Sequence, residues 1–384
     1  MSNPFVLENL GSAGGIGGPS ALLVEDGRIT ALDADAADVP APRRLDGRGF
    51  VAVPGFIELQ LNGAFGHDFT TDPATMWQIG ERLARHGITA FLPTIVTSAR
   101  GTVESALDAL EHPPETTSGA VPIGLHVEGP FLAPERIGAH DPALVRDPDL
   151  VELKRWAKRG GVRLLTLAPE RPGALDAIRL LTRRGIVAAV GHTDADAATA
   201  MAAIDAGARY ATHLFNAMPP FSHRKPGAVG ALLADARVTI GLILDRHHLD
   251  PIVVSLVERL AHGRISLVSD AIAALGLRDG THRLGDLAVA VGDGAARLPD
   301  GTLAGTVTPL DACMRAFAAM TGAVDEAIGA VTAVPARLLG LDDGRGHLMV
   351  GGRADVVLLD EELEVQATIV GGEIAHAVEG LAWP

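Results

Sequence analysis

From Val53-Pro54-Gly55 onward, short runs rich in β-branched and apolar residues alternate with amphipathic stretches such as PATMWQIGERLARHG and DADAATAMAAIDAG. The runs have strand length and the stretches have helical period, so the alternation predicts repeated βα units. Eight runs stand out: FIELQLNG, ITAFLPTIV, PIGLHVEG, VRLLTLAPE, IVAAVGHT, ARYATHLFN, VTIGLILDRHH and RISLVSDA. Eight parallel strands, each followed by a helix, close an α/β barrel of the TIM, or (β/α)8, type. Chemistry in that fold gathers at the C-terminal ends of the strands.

The two ends of the chain read differently. The first fifty or so residues are turn-rich with short strand-like runs (ALLVEDGRITAL), and HLMVGGRADVVLLDEELEVQATIVGGEIAHAV has the same character. We expect residues 1–53 and 338–384 to pair into one small, discontinuous, sandwich-like β-domain beside a catalytic barrel spanning 54–337. At 384 residues and 47% apolar, the chain is long enough for a barrel of ~250 residues and a smaller unit. The formal net charge of -15 argues against a nucleic-acid surface or a polybasic membrane anchor, so an anionic substrate must be met by a local group of cations. Cys313 is the only cysteine, which excludes an intramolecular disulfide. The start MSNPFVLENL lacks a basic region followed by an apolar one, and no apolar stretch reaches the ~20 residues of a membrane span. A reducing, cytoplasmic setting is expected.

Glu128, His192, His213 and Asp270 each stand at the far end of a predicted strand, on runs three, five, six and eight. Catalytic zinc-type sites take three protein ligands from His, Glu, Asp and Cys and leave one position for water. Glu128, His192 and His213 supply such a set, and Asp270 is a carboxylate fit for general base and acid work. Taken singly, each has a plainer reading as a polar residue at a strand end; Asp270 in particular could cap a following helix. His126 shares a face with Glu128 one layer deeper and reads as a satisfied core histidine. Gln60 and Asn62 share a face at the end of strand one, but neutral amides are poor zinc ligands, which suggests one metal rather than two. The segment His213-Leu214-Phe215-Asn216-Ala217-Met218-Pro219-Pro220 and the following Phe221-Ser222-His223-Arg224-Lys225-Pro226-Gly227 offer donors and cations suited to a phosphate. A solvated, Pro-rich loop is the other reading. His140 and His247-His248 could equally be surface histidines. The ligand set suits zinc, iron(II), cobalt or manganese.

These stretches resemble the N-acetylglucosamine-6-phosphate deacetylases of the amidohydrolase superfamily. The resemblance runs nearly end to end, through PGFIELQLNGAFG, GLHVEGPFL, GHTDAD, THLFNAMPP, RKPG, LVSDA, DGTLAG and GHLMVGGRADVVLLD. HLFNAMPP and the Gln60-Leu61-Asn62 form of a strand-one motif that is His-x-His in most relatives are specific to that family. The resemblance implies one divalent metal ion per subunit, zinc being the first expectation, held by Glu128, His192 and His213, with Asp270 as acid and base. It implies that Asn216, Ala217 (through its backbone), Arg224 and His248 bind the sugar phosphate and that His140 touches the sugar. Gln60 and Asn62 would stand behind the metal. It further implies a homodimer in which Arg224 and His248 reach into the neighbouring subunit's site.

The implied reaction is hydrolysis of the N-acetyl amide of N-acetylglucosamine 6-phosphate to glucosamine 6-phosphate and acetate, in amino-sugar catabolism and cell-wall recycling. Alternatives keep the chemistry on N-acetylgalactosamine 6-phosphate or an unphosphorylated N-acyl metabolite. A cyclic-amide hydrolase is disfavoured because such enzymes often use a carboxylated lysine on strand four, and VRLLTLAPE has none. A non-catalytic sugar-phosphate binding protein is disfavoured by the intact quartet. Arg246, Lys225, Ile272 and Pro309 depart from the family pattern, all at positions expected near the sugar or phosphate.

Overall fold

The computed structural model describes residues 4–12, 15–40, 43–115, 117–285, 287–379 and 381. Each of the eight predicted runs contributes a strand: β1 (Phe56–Leu61), β2 (Ile88–Val96), β3 (Leu125–Glu128), β4 (Val162–Leu167), β5 (Val187–Val190), β6 (Tyr210–Ala211), β7 (Thr239–Ile243) and β8 (Ile265–Val268). Neighbours pair in parallel in chain order. Between β8 and β1 the ring is closed by backbone bonds from Asp270 N to Gln60 O at 3.0 Å and from Asn62 N to Ala271 O at 2.9 Å. The closing bonds therefore fall on the residues that carry the polar side chains.

Side chains alternate across each strand. Ile57, Leu59, Leu92, Leu164, Ala189, Tyr210, Ile243 and Val268 fill the barrel interior, and Ala336 and Leu339 of the helix Ala333–Leu339 join the same cluster. That helix lies at the N-terminal mouth, where Arg163 at the start of β4 donates to Leu339 O. Outward residues such as Phe91, Val127, Leu165 and Leu267 pack on the surrounding helices through Leu107, Trp156 and Ile178, each burial contributing about 1.5–3 kcal/mol. The expected first helix is broken into a 3-10 turn, Pro73–Trp77, and a short helix, Gly80–Ala84. A Cβ at Gly80 would lie 2.5 Å from Ser118 O, so close passage of a neighbouring segment demands glycine, which is a poor residue for a helix.

Two four-stranded sheets form the β-domain. The first holds Phe5–Glu8, Leu22–Glu25, Arg28–Leu32 and Arg43–Asp46; the second pairs Val51–Pro54 with Val356–Leu359, Val365–Val370 and Glu373–Ala377. Phe5, Leu7, Leu22 and Val24 of the first pack on Ala52, Val356, Leu358 and Ile369 of the second. The alternate residues Val51, Val53, Val357 and Leu359 turn to the barrel core. Thus one sheet is the wall common to both bodies, built from both chain ends. Positions 1–3, 13–14, 41–42, 380 and 382–384 of the expected spans lie outside the described residues.

A further antiparallel sheet, Gly280–Leu284, Leu287–Gly292, Ala295–Arg297 and Leu303–Thr306, follows β8 and is absent from the sequence reading. Thr306 N donates to Asp270 O at 3.0 Å and Ile272 N to Thr306 O at 3.1 Å, which fastens it to the end of β8. Leu284, Val289, Val291 and Ala296 pack on Val96 and Ile272. The sheet therefore rises beside the C-terminal mouth of the barrel. Among the described residues, no helix is long and apolar enough to cross a membrane.

Candidate active site

At the C-terminal ends of β3, β5 and β6, three ligand-type atoms converge. Glu128 Oε1 lies 3.2 Å from His192 Nε2 and 3.0 Å from His213 Nε2, and the two imidazole nitrogens are 3.1 Å apart. All three residues are buried. His192 Nδ1 sits 3.0 Å from Arg136 O; a carbonyl only accepts, so the ring proton is on Nδ1 and the Nε2 lone pair faces the cluster. Burial works against ionisation of Glu128, but the closeness of the His192 and His213 rings outweighs it and holds the carboxyl well below its ordinary value. His192 and His213 both have positive φ, at +48° and +29°. Backbone that L residues seldom adopt turns each imidazole inward from the strand end.

Asp270 follows β8 and also has positive φ, +50°. No helix begins there, so the capping alternative falls. Gln60 Nε2 donates to Asp270 Oδ1 at 3.0 Å and to Glu128 Oε1 at 3.1 Å, tying the two carboxylates together. Asn62 Nδ2 donates to the same Asp270 Oδ1 at 2.7 Å. Burial, then the nearby charge of Glu128, raises the Asp270 carboxyl above the ordinary range. Beneath them Glu58, unremarked in the sequence, is buried with Oε1 accepting from Gln60 N at 3.0 Å and Oε2 from Ser269 N at 2.9 Å. It clamps the seam that carries Gln60, Asn62 and Asp270.

His140 is buried rather than a surface histidine. Its ligand atom lies within 4.8 Å of those of Glu128 and His192, so it belongs to the cluster. Thr97 N donates to its Nδ1 at 3.4 Å, which leaves the proton on Nε2 and makes that edge a donor rather than a metal ligand. Burial is the main cause of a pKa of about 3, so the ring is neutral. His126 is the satisfied core histidine expected: its ring nitrogens meet Thr94 Oγ1 at 3.2 Å and Thr166 Oγ1 at 2.8 Å.

These groups face a cavity of about 640 Å³, also lined by Asn216, Ala217, His248, Arg136 and Arg297. Of the Pro-rich loop, the first half reaches the cavity and the second does not: Arg224 is exposed, with Nη1 on His223 Nε2 at 2.7 Å. His248 lines the cavity of its own chain. Asp245 Oδ2 accepts from His248 Nδ1 at 2.8 Å, turning Nε2 outward. Arg246, Lys225, Ile272 and Pro309 are not among the lining residues; Ile272 is instead core beneath the added sheet. Arg297 and Thr97 were missed. An Asp293-Gly294 pair between strand-like runs signals the hairpin that carries Arg297, but nothing local signals that the hairpin meets the cavity.

The residues fit a divalent ion. Tetrahedral zinc with bonds of about 2.0–2.1 Å sets its ligands ~3.3 Å apart, close to the spacings between Glu128, His192 and His213. Two imidazole nitrogens and a carboxylate oxygen facing one point are a donor set for a cation, and Gln60 Oε1 and Asn62 Oδ1 are buried acceptors with no donor among the described residues.

Fold and site define a barrel hydrolase of the metal-assisted, amide-cleaving kind. The model of the amidohydrolase family matches residues 51–375. N-acetylglucosamine-6-phosphate deacetylase of Bos taurus is 39% identical over 355 residues, covering 88% of this chain and 87% of the relative. The N-acetylgalactosamine-6-phosphate deacetylase of Escherichia coli O157:H7 is 36% identical over 92% of this chain and 94% of its own. Among solved structures, N-acetyl-D-glucosamine-6-phosphate deacetylase from Mycobacterium smegmatis, an aspartate-to-alanine variant in complex with N-acetyl-D-glucosamine-6-phosphate, is 36% identical with a TM-score of 0.88, over 97% of this chain and all of that one. The chain belongs to the amidohydrolase family and, within it, to the N-acetylglucosamine-6-phosphate deacetylases.

Proposed function

We propose that this chain hydrolyses the N-acetyl amide of N-acetylglucosamine 6-phosphate to acetate and glucosamine 6-phosphate, serving amino-sugar catabolism and cell-wall recycling in the cytoplasm. The observation that carries the reading is Gln60, whose one amide group joins the Glu128–His192–His213 cluster to Asp270. Glu128, His192 and His213 hold one divalent ion, zinc first among zinc, iron(II), cobalt and manganese. Bound there, such an ion supplies a Lewis acid for the carbonyl and lowers the pKa of a water. Asp270 takes a proton from the attacking water as its oxygen bonds to the acetyl carbon. It returns that proton to the amide nitrogen as the C–N bond breaks. Gln60 and Asn62 fix Asp270 Oδ1, so Oδ2 is the oxygen left to carry the proton. His140 donates from Nε2 to the sugar. Asn216, the Ala217 backbone and His248 receive the phosphate, and Arg224 joins them from the second subunit of a homodimer.

N-acetylgalactosamine 6-phosphate is the second reading, since a deacetylase of that sugar is among the relatives. Acetate release should be measured from phosphorylated and free N-acetylglucosamine and N-acetylgalactosamine, with metal content determined on the same sample. We expect about one metal per chain and the highest kcat/KM on N-acetylglucosamine 6-phosphate. Preference for the galacto epimer would move the assignment to the second reading, and no acetate from any of the four sugars would sink both.

A further inference from the structure

The proposed substrate carries a phosphate, yet in a chain of net charge -15 few cations reach the cavity. Arg224 lies outside it, and Arg136, though it lines the cavity, is ion-paired to Asp194 at 2.8 Å. Arg297 also lines the cavity, and the contact its guanidinium makes among the described residues is to a backbone carbonyl, Gly301 O, rather than to a carboxylate. It ends the strand Ala295–Arg297 of the sheet added after β8. The tight turn beyond is fixed by Leu298 N to Thr302 O at 2.8 Å, Gly301 N to Leu298 O at 2.9 Å and Thr302 N to Asp300 Oδ1 at 3.0 Å. Arg297 Nη1 donates to Gly301 O at 3.0 Å, which leans the guanidinium on that turn and uses one of its five donors.

The hairpin also stands beside the loop that bears His248. A Cβ at Gly294 would be 3.6 Å from His247 Nε2, while Gly301, Thr302, Leu303 and Gly305 continue the cavity wall from Arg297. We propose that Arg297 is a specificity-determining residue, meeting the substrate's phosphate from within the same chain. The proposal rests on the sugar-phosphate reading of the site. A guanidinium with donors to spare, held at the mouth, suits forked binding of phosphate oxygens.

The test is steady-state kinetics of the metal-loaded enzyme and its Arg297→Gln and Arg297→Lys variants on N-acetylglucosamine 6-phosphate and free N-acetylglucosamine. Inhibition by inorganic phosphate serves as a second readout should the free sugar turn over too slowly. Loss of one charge-assisted contact predicts that R297Q raises KM for the phosphorylated sugar about tenfold or more. kcat should stay near wild type, kinetics on the free sugar should be unchanged, and phosphate should inhibit less, with R297K in between. Equal losses on both sugars, or an unchanged KM and phosphate inhibition, would show that Arg297 serves only its turn. If the wild type prefers the phosphorylated sugar and R297Q keeps that preference, the arginine proposal alone fails. If the wild type shows no preference, the substrate reading fails and takes the proposal with it.

Discussion

Two amides, Gln60 and Asn62, donate to a single oxygen of Asp270, so the side chain proposed to move protons is fixed at one oxygen and available at the other. Asp270→Asn keeps the shape but cannot take a proton, and should lower kcat by about 10²–10⁴-fold while metal content measured by elemental analysis is unchanged. Near-wild-type turnover would remove Asp270 from the mechanism. Glu58 invites a different experiment. Burial, opposed by hydrogen bonds from Ser269 and Gln60, raises its carboxyl from 4.5 to about 7. The folded protein thus keeps a proton that the unfolded chain has released across this window. That contribution to stability is complete below about pH 4.5 and lost as pH rises through about 7, a span worth about 3 kcal/mol. In urea melts of chelator-treated protein, Glu58→Gln should lose this decline relative to wild type; parallel curves would count against it. Glu128, His192, His213 and Asp270 were legible in the sequence because each polar residue interrupts the end of an apolar run. Glu58 was not, because it sits inside such a run and its partner Ser269 is more than two hundred positions away.

Among the elements, the second sheet of the β-domain has the least freedom, since its two faces serve different cores. Val356 and Leu358 belong to the sandwich, whereas Val357 and Leu359 belong to the barrel. Val357→Asp would bury an unpaired charge at that join and should destabilise the protein by about 4 kcal/mol or more, whereas Val350→Asp, at an exposed position, should stay within about 0.5 kcal/mol. Equal melting temperatures for the two variants would contradict the shared wall. Strand periodicity made these elements readable: β2, buried at all nine positions, is apolar apart from Thr89 and Thr94. Shorter elements were read less well. β6 has only two paired residues because the backbone turns away before His213, and the predicted first helix breaks at Gly80. The sheet from Gly280 to Thr306 was overlooked because its strands are short and half-exposed, with the burial of Leu287–Gly292 alternating residue by residue.

On the scale of the whole molecule, the proposed homodimer has a candidate face. Ile252, Leu256 and Leu260 are 72%, 53% and 62% exposed and recur every four residues along Pro251–Ala261, forming one apolar stripe. The adjoining helix Gly227–Ala234 packs beside it and is entered by the loop carrying exposed Phe221 and Arg224. An interface here would cover the stripe and bring the Arg224 loop against a second copy. Wild type should therefore sediment as a dimer, and Leu256→Asp, placing a charge in the middle of the stripe, should shift it to monomer. Because Glu128, His192, His213 and Asp270 come from one chain, the monomer should retain its metal and most of its kcat. Its KM for the phosphorylated sugar should rise by about tenfold, as expected for one lost charged contact, and Arg224→Ala in the dimer should raise KM by a similar factor. Combining the two substitutions should add little, since both remove the same contact. A monomeric Leu256→Asp with wild-type KM would show that Arg224 does not act across an interface, and a monomeric wild type would remove the dimer altogether.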